Sequence, residues 1–229
     1  MIKYLFNILF IFLFSLSSYA QQVFILKDSV CISKKCFELQ ELKIGTKNTG
    51  IYKRIQKSYD LFNGIFFDSP EKRLNAKKDT LNKLISTNSL RDNQYGFENY
   101  KIFLNKNELL NVSVHIQSYG SPWEATVYYF FDEMNDTEVG ENLFLNKKML
   151  LQVCRKKLKT DKSISFPMKN LSQYKINTNT AGNMTGIDFI FYDEKNRTNS
   201  GYPEYSASFT YKEIEKFIAP QYKKRLIQF

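Results

Sequence analysis

The sequence predicts an α+β fold, with an antiparallel sheet, flanking helices and room for two subdomains. The segment from Leu110 to Tyr119 alternates apolar and polar residues, as a strand with one buried face does. A Gly-Ser-Pro turn at 120–122 leads directly into a second, densely aromatic strand at 123–131. Because turns connect such strands, and helical patterns lie before and after them, an antiparallel sheet is favoured over a parallel one.

The first half of the chain combines strand and helix patterns. Strands are predicted at 23–27 and 37–44. A helix is predicted over 51–66, where apolar residues recur every three or four positions, and Pro70 is predicted to end that helical region. A weaker helix follows. We expect the polar face of this second helix to be solvated, namely Lys72, Lys77, Lys78 and Asp79.

The second half of the chain is predicted to be richer in strands. Besides the pair already described, strands are expected at 100–104, 186–192 and 205–211, and an amphipathic helix at 147–159. Thr210 and Glu213 have the spacing of a capping box, which predicts a short final helix closed by Pro220.

The polar stretch 88–95 is predicted to be a linker. We therefore divide the chain into a signal peptide at 1–20, an N-terminal strand–helix subdomain at 21–95 and a C-terminal α+β domain at 96–229.

The first twenty residues have the pattern of a Sec-type signal peptide. Lys3 supplies the positive start, residues 4–16 are almost entirely apolar, and Ser18 and Ala20 supply small residues before a cut at Gln21. The apolar run is shorter than the roughly 20 residues that a spanning helix needs. We therefore expect a periplasmic or secreted bacterial protein with no transmembrane segment after cleavage.

The positive net charge bears on which kinds of partner the protein can bind. The chain carries a formal charge of +10, of which Lys3 in the signal peptide contributes one unit. An exported basic protein is not expected to meet nucleic acid. The favoured interpretation is that the basic residues only solvate the surface, since acidic residues are interleaved with them. The alternative is a partner in the cell envelope, either a protein or an anionic component such as a wall polymer, lipopolysaccharide or lipid headgroups.

The three cysteines predict one disulfide. Cys31 and Cys36 are close in sequence, and thiols outside the cytoplasm tend to pair. Cys154 is then a free, buried cysteine in a helix. Pairing of Cys154 with either of the other two stays open as the alternative. Four residues separate Cys31 from Cys36, whereas redox catalysis favours two.

No catalytic, metal-binding or cofactor-binding pattern is found in the sequence. His115 is the only histidine, so a zinc site with several histidines is excluded and a Ser–His–Asp triad would depend on this one residue. A weak binding surface is predicted around the only tryptophan, Trp123, together with Tyr119, Glu124 and Tyr128, because aromatic rings beside a turn can contact a saccharide or a protein. The alternative is that Trp123 belongs to the core.

Several motifs follow one another in the second half of the chain: strands that end at Tyr119 and Asp132, Asn-Leu-Phe at 142–144, Gly-Ile-Asp-Phe at 186–189 and the segment 205–214. Through these motifs the run from Leu110 to Ile218 resembles a family of extracytoplasmic domains of unknown function, found in a lysozyme-sensing anti-sigma factor and beside peptidoglycan deacetylases. The preceding part, 37–66, resembles a companion domain. The family's Gly-Gly-Ala-His-like loop is replaced here by Gly-Ser-Pro-Trp-Glu at 120–124. The resemblance implies a fold and a compartment, but no activity.

These features predict a secreted or periplasmic domain of the cell envelope that binds an unknown ligand and is non-enzymatic. One alternative is a cell-wall-linked protein that acts on peptidoglycan or inhibits lysozyme-like proteins, and another is a structural accessory protein of the envelope. Binding of a cationic lysozyme would use the one acidic cluster of note, which we expect to be exposed: Asp132, Glu133, Asp136, Glu138 and Glu141.

The export signal leads to a first prediction. We expect the exported protein to begin at Gln21, free or cyclised, because Ala20 closes a signal-peptidase site. Intact-mass measurement of the protein recovered after export checks this. A mass that still includes residues 1–20 would contradict it.

Overall fold

Nine strands and five α-helices are present in the computed structural model, which describes residues 23–45, 47–158, 168–193, 198 and 202–227. The strands form three antiparallel sheets of two, four and three strands, so the predicted α+β fold is confirmed. The predicted signal peptide lies outside the described residues. No helix in the described part of the chain is both long and apolar enough to cross a bilayer.

The first sheet is a hairpin of β1 (Phe24–Ile32) and β2 (Lys35–Lys43). Helix α1 (Thr49–Gln56) follows it, and helix α2 (Pro70–Ser86) packs on both strands of the hairpin. The predicted helix over 51–66 therefore ends ten residues early, at Gln56, and Pro70 begins a helix instead of ending one. Proline is compatible with a first helical turn, where its missing N–H is not needed, and the Ser69 side chain caps that turn by accepting from the Lys72 amide at 3.2 Å.

The second sheet contains β3 (Gly96–Lys106), β4 (Leu109–Ser118), β5 (Glu124–Asp132) and the short β6 (Thr137–Glu138). The alternation in β4 is real, since Leu110, Val112, Val114 and Ile116 all enter one core cluster. The opposite face of β4 is nevertheless also buried at Asn111 and Ser113, because the third sheet covers it.

The third sheet contains β7 (Tyr174–Thr178), β8 (Met184–Tyr192) and β9 (Glu204–Thr210). Helices α3 (Lys147–Leu158), α4 (Tyr211–Ile214) and α5 (Pro220–Ile227) complete this part. The largest core cluster lies here, between β5, the third sheet and these helices. The capping box at Thr210 and Glu213 is confirmed, whereas Pro220 begins α5 and does not close the preceding helix.

Side-chain amides connect the second and third sheets where no backbone ladder does. The Asn111 amide donates to the Tyr129 carbonyl at 2.7 Å and to the Tyr174 carbonyl at 3.2 Å, and its oxygen accepts from the Ile176 amide at 2.7 Å. The Gln173 side-chain oxygen accepts from the Tyr128 amide at 3.1 Å. Buried polar groups are satisfied in this way, and the two sheets are held in one relative position.

Four charged side chains are buried between α2 and the first two sheets. Arg73 and Lys77 of α2 face Glu41 of β2 and Glu98 of β3, and all four side chains are at most 3% exposed. Each cation lies within 2.9 Å of both carboxylates. We call these four residues the buried ion cluster. The expectation that Lys77 is solvated is therefore wrong, because both of its acidic partners come from strands distant in sequence.

The charges of the buried ion cluster cancel. Burial on its own would raise the pKa of the Glu98 carboxyl, but Lys77 and Arg73 outweigh it and hold that pKa below its ordinary value. The ionised form of Glu98 therefore stabilises the folded state. This contribution is present above the ordinary pKa of a glutamate and is lost as the pH falls through the lowered one.

Removing one cation from the cluster leaves an unpaired buried charge, which leads to a second prediction. We expect Lys77→Met to lower the free energy of unfolding by about 3–5 kcal/mol. Lys83→Met, on the exposed side of the same helix, is the matched control and should change it by less than about 0.5 kcal/mol. Urea denaturation of both variants measures the difference. A loss below about 1 kcal/mol in Lys77→Met would show that the cluster adjusts without cost.

The disulfide between Cys31 and Cys36 is confirmed, and Cys154 is a buried free cysteine as predicted. The two bonded residues lie directly opposite each other at the end of the β1–β2 hairpin. Burial raises the pKa of the Cys154 thiol to about 12, so this group stays protonated at neutral pH.

The small loop that the disulfide closes leads to a third prediction. We expect Cys31→Ser/Cys36→Ser to lower the free energy of unfolding by about 2 kcal/mol and still to fold. Thermal unfolding of the oxidised protein and of the double variant measures this. In the oxidised protein, alkylation should reach Cys154 only after denaturation. A peptide map with Cys154 bridged to either other cysteine would overturn the assignment.

Candidate functional site

The aromatic residues of the predicted binding surface lie in separate surroundings. Trp123 and Tyr128 differ by an odd number of positions, so their side chains leave opposite faces of the β5 segment. Trp123 packs toward Tyr59 with ring centroids 6.3 Å apart, whereas Tyr128 is buried on the other face and stacks on Phe103 at 6.1 Å. The two rings do not form one platform.

Tyr119 lies in a third environment, beyond the end of β4. Its ring contacts Phe37 edge-on at 5.6 Å, and the Lys35 ammonium lies 4.9 Å from its centroid. Glu124 begins β5 and is exposed. A binding role for these four residues stays a prediction, and of the four only Glu124 lines the cleft described next.

A cleft opens where the ends of β4 and β5 face the ends of β8 and β9. Its volume is about 510 Å³. We call it the junction cleft and define it by the residues that give it its chemistry: His115, Glu124, Thr126, Tyr192, Tyr202 and Glu204. The register of the two sheets positions these side chains, since His115 pairs with Thr126 and Tyr192 pairs with Glu204.

Hydrogen bonds fix the base of the junction cleft. The Tyr192 hydroxyl donates to the Thr126 carbonyl at 3.1 Å and so ties the third sheet to the second. The His115 Nδ1 and Thr126 Oγ1 atoms are 3.0 Å apart. On its other side the imidazole faces Glu124, with Nε2 3.8 Å from the nearer carboxylate oxygen. The cleft is therefore preformed, with the two carboxylates as its most strongly charged groups.

The described lining of the junction cleft is acidic in an otherwise basic protein. Among the described residues that line it there is no lysine or arginine. Burial raises the pKa of the Glu204 carboxyl, and Lys175 and the Tyr192 hydroxyl only partly offset this. Burial and the nearby Glu204 also raise the pKa of Tyr192, which keeps that hydroxyl a donor. Such a lining attracts a positively charged group.

A hydroxyl, an imidazole and a carboxylate meet in the cleft, yet their geometry is not that of an acyl-transfer site. The distance from His115 to Glu124 exceeds a hydrogen bond. Thr126 lies within β5 opposite His115, so its contact with the imidazole is that of a cross-strand pair and the neighbouring amides belong to the sheet. Among the described residues, no three His, Cys, Asp or Glu side chains cluster as metal ligands.

In the acidic cluster that was expected to be exposed, Asp132 and Asp136 make hydrogen bonds that hold parts of the fold together. Asp132 is buried and accepts two hydrogen bonds from the Arg225 guanidinium, at 2.8 and 2.9 Å. Asp136 accepts from the Gly50 amide at 2.8 Å and so caps α1. Burial and the neighbouring Glu108 raise the pKa of Glu133 to about 7, which reduces its charge at neutral pH. The expectation of an exposed cluster is wrong for Asp132.

Tyr192, Tyr202 and Glu204 were missed in the sequence. Tyr192 ends a predicted strand and Glu204 precedes the next one, so their pairing could have been inferred by joining the two strands as a hairpin. Nothing in the sequence indicated that this end of the hairpin faces His115 and Glu124, because the contact depends on how two sheets pack.

Neither a protein-family model nor a curated protein sequence matches the chain. Among solved structures, it is similar to the crystal structure of a member of the DUF3298 family from Bacteroides fragilis. The two share 12% sequence identity with a TM-score of 0.50, over 89% of this chain and 95% of the other. At this identity the likeness shows a shared fold, and it supports the resemblance to a family of domains of unknown function.

Proposed function

We propose that this protein is a secreted or periplasmic binding domain, non-enzymatic, that receives a positively charged group of its ligand in the junction cleft. The observation that carries the proposal is the lining of the cleft: two carboxylates and two tyrosines, with no described lysine or arginine among its walls. The disulfide between Cys31 and Cys36 supports the compartment, since such bonds persist outside the cytoplasm.

The chemistry of the cleft suits an ammonium or guanidinium group. Glu124 and Glu204 are both exposed at the start of their strands and offer charge-assisted hydrogen bonds to a cation. Tyr202 is 44% exposed and places an aromatic ring beside them. A cation can therefore contact carboxylate and ring together. A lysine or arginine side chain of a cell-envelope protein carries such a group.

A binding role is favoured over catalysis by the way the polar groups are engaged. The Tyr192 hydroxyl and the His115 ring are held by Thr126, and no aligned nucleophile and base are present among the cleft residues. The alternative of lysozyme inhibition through the acidic cluster is less favoured, because one of its five members, Asp132, is buried against Arg225.

The fourth prediction tests the cleft with small probes. We expect Nα-acetyl-lysine amide and Nα-acetyl-arginine amide to bind weakly, with dissociation constants on the order of millimolar, because an isolated group pays most of the cost of association. Glu204→Gln and Glu124→Gln should each weaken binding by about tenfold, since each removes a charge-assisted hydrogen bond. Chemical-shift titration by NMR measures these affinities and locates the perturbed residues.

A control variant accompanies this experiment. Glu215→Gln removes an exposed carboxylate elsewhere and should leave the affinity unchanged.

The affinity should also depend on pH. Because the pKa of Glu204 is raised and the cation prefers the ionised carboxylate, affinity should increase as the pH rises through that raised pKa, above the ordinary glutamate range. Equal binding of Nα-acetyl-glutamate amide, or shifts confined to residues outside the cleft, would reject the proposal.

A further inference from the structure

The loop between α1 and α2 exposes large apolar side chains at a sharp turn. Ile65 is 64% exposed and Phe66 is 42% exposed. The turn is made by Asn63 and Gly64, whose φ angles are 53° and 81°. We call residues 63–66 the apolar turn. Exposed side chains of this size, adjacent in sequence, are costly in water and mark a surface for interaction when they are held in place.

The exposure of the apolar turn is built into the fold. Gln56 clamps the end of the loop, since its side chain donates to the Phe67 carbonyl and accepts from the Phe67 amide, both at 2.9 Å. The Gly64 amide donates to Asp60 at 2.6 Å. Phe62 and Phe67 pack edge to face at 4.9 Å beneath the turn. Ile65 and Phe66 are thus presented outward by a fixed base.

Two lysines flank the turn. Lys53 lies on α1 and Lys57 directly follows it, and their ammonium groups are 5.2 and 5.9 Å from the centre of the Phe66 ring. Lys72 pairs with the nearby Asp68 at 3.0 Å, and Asp60, which accepts the Gly64 amide, offsets only one of the two lysines that flank the turn. The surroundings of the apolar tip therefore carry a surplus of positive charge.

We infer that the apolar turn docks on the surface of an anionic lipid bilayer. Ile65 and Phe66 enter the boundary between headgroups and acyl chains, while Lys53 and Lys57 lie at the level of the lipid phosphates. Two adjacent apolar side chains exposed on a turn, with two lysines beside them, match the apolar and anionic layers of such an interface. This inference uses a surface distinct from the junction cleft and does not rest on its ligand.

Vesicle binding tests the inference. The processed protein is sedimented with vesicles of phosphatidylglycerol and phosphatidylethanolamine, and with vesicles of phosphatidylcholine alone. We expect binding to the anionic vesicles only, weakening as salt is added. Ile65→Ser/Phe66→Ser should lower the partition coefficient at least about tenfold. Lys53→Gln/Lys57→Gln should lower it about fivefold for each charge removed.

Matched variants distinguish the effect of the apolar turn on vesicle binding from the effects of total charge and of total exposed apolar surface. Lys83→Gln/Lys212→Gln removes two exposed charges elsewhere, and Met134→Ser removes a side chain that is 65% exposed. Neither should change binding by more than about twofold. All variants share the parental N-terminus, and their melting temperatures show whether they are folded.

A spectroscopic readout reports insertion directly. Phe66→Trp should show a blue-shifted emission when anionic vesicles are added, whereas Met134→Trp should not. The inference is overturned if the anionic vesicles do not bind the protein at low salt. It is equally overturned if Ile65→Ser/Phe66→Ser binds like the parent, if phosphatidylcholine vesicles bind as well, or if the emission of the Phe66→Trp variant does not move.

Discussion

The buried ion cluster determines how the first half of the chain assembles. Its four charges come from three elements, with Glu41 on β2, Glu98 on β3 and both cations on α2. Any two of these elements without the third would bury charge that is not balanced, and this costs several kcal/mol. The cluster therefore couples the hairpin, the helix and the edge of the second sheet, and α1 reaches it as well through the Tyr52 hydroxyl, 3.3 Å from Glu41.

In the rest of the molecule, side-chain amides likewise connect elements that belong to different sheets. Gln40 accepts from the Tyr100 amide at 2.9 Å between the first and second sheets, and Asn111 and Gln173 link the second sheet to the third. Each amide offers a donor and an acceptor on one group, so it can stand in for a missing strand neighbour. At the junction cleft the Tyr192 hydroxyl makes the corresponding link, since it donates to the Thr126 carbonyl of the second sheet.

Local sequence patterns predicted interactions between neighbours in sequence and missed those between distant strands. The β4 alternation, the Thr210 capping box and the Cys31–Cys36 disulfide depend on neighbours in sequence, and all three are confirmed. The burial of Lys77 and Asn111 depends on partners from distant strands. Local pattern predicted a solvated Lys77 and placed Asn111 on the polar side of its strand. For the same reason, the sequence predicted a binding role for Glu124 but not for Glu204. The two residues line one cleft only because two sheets pack together.

The guanidinium of Arg225 connects α5 to a turn and a strand end that lie far from it in the sequence. Its guanidinium binds Asp132 and the carbonyls of Asn107 and Glu108, while the Asn107 side chain donates back to the Arg225 carbonyl at 2.6 Å. Arg225 thus closes a turn that lies 118 positions earlier in the sequence. Without α5, the Asp132 carboxylate and that turn lack their cation. Cooperative folding of this part therefore depends on α5, and contacts of such long sequence separation slow folding.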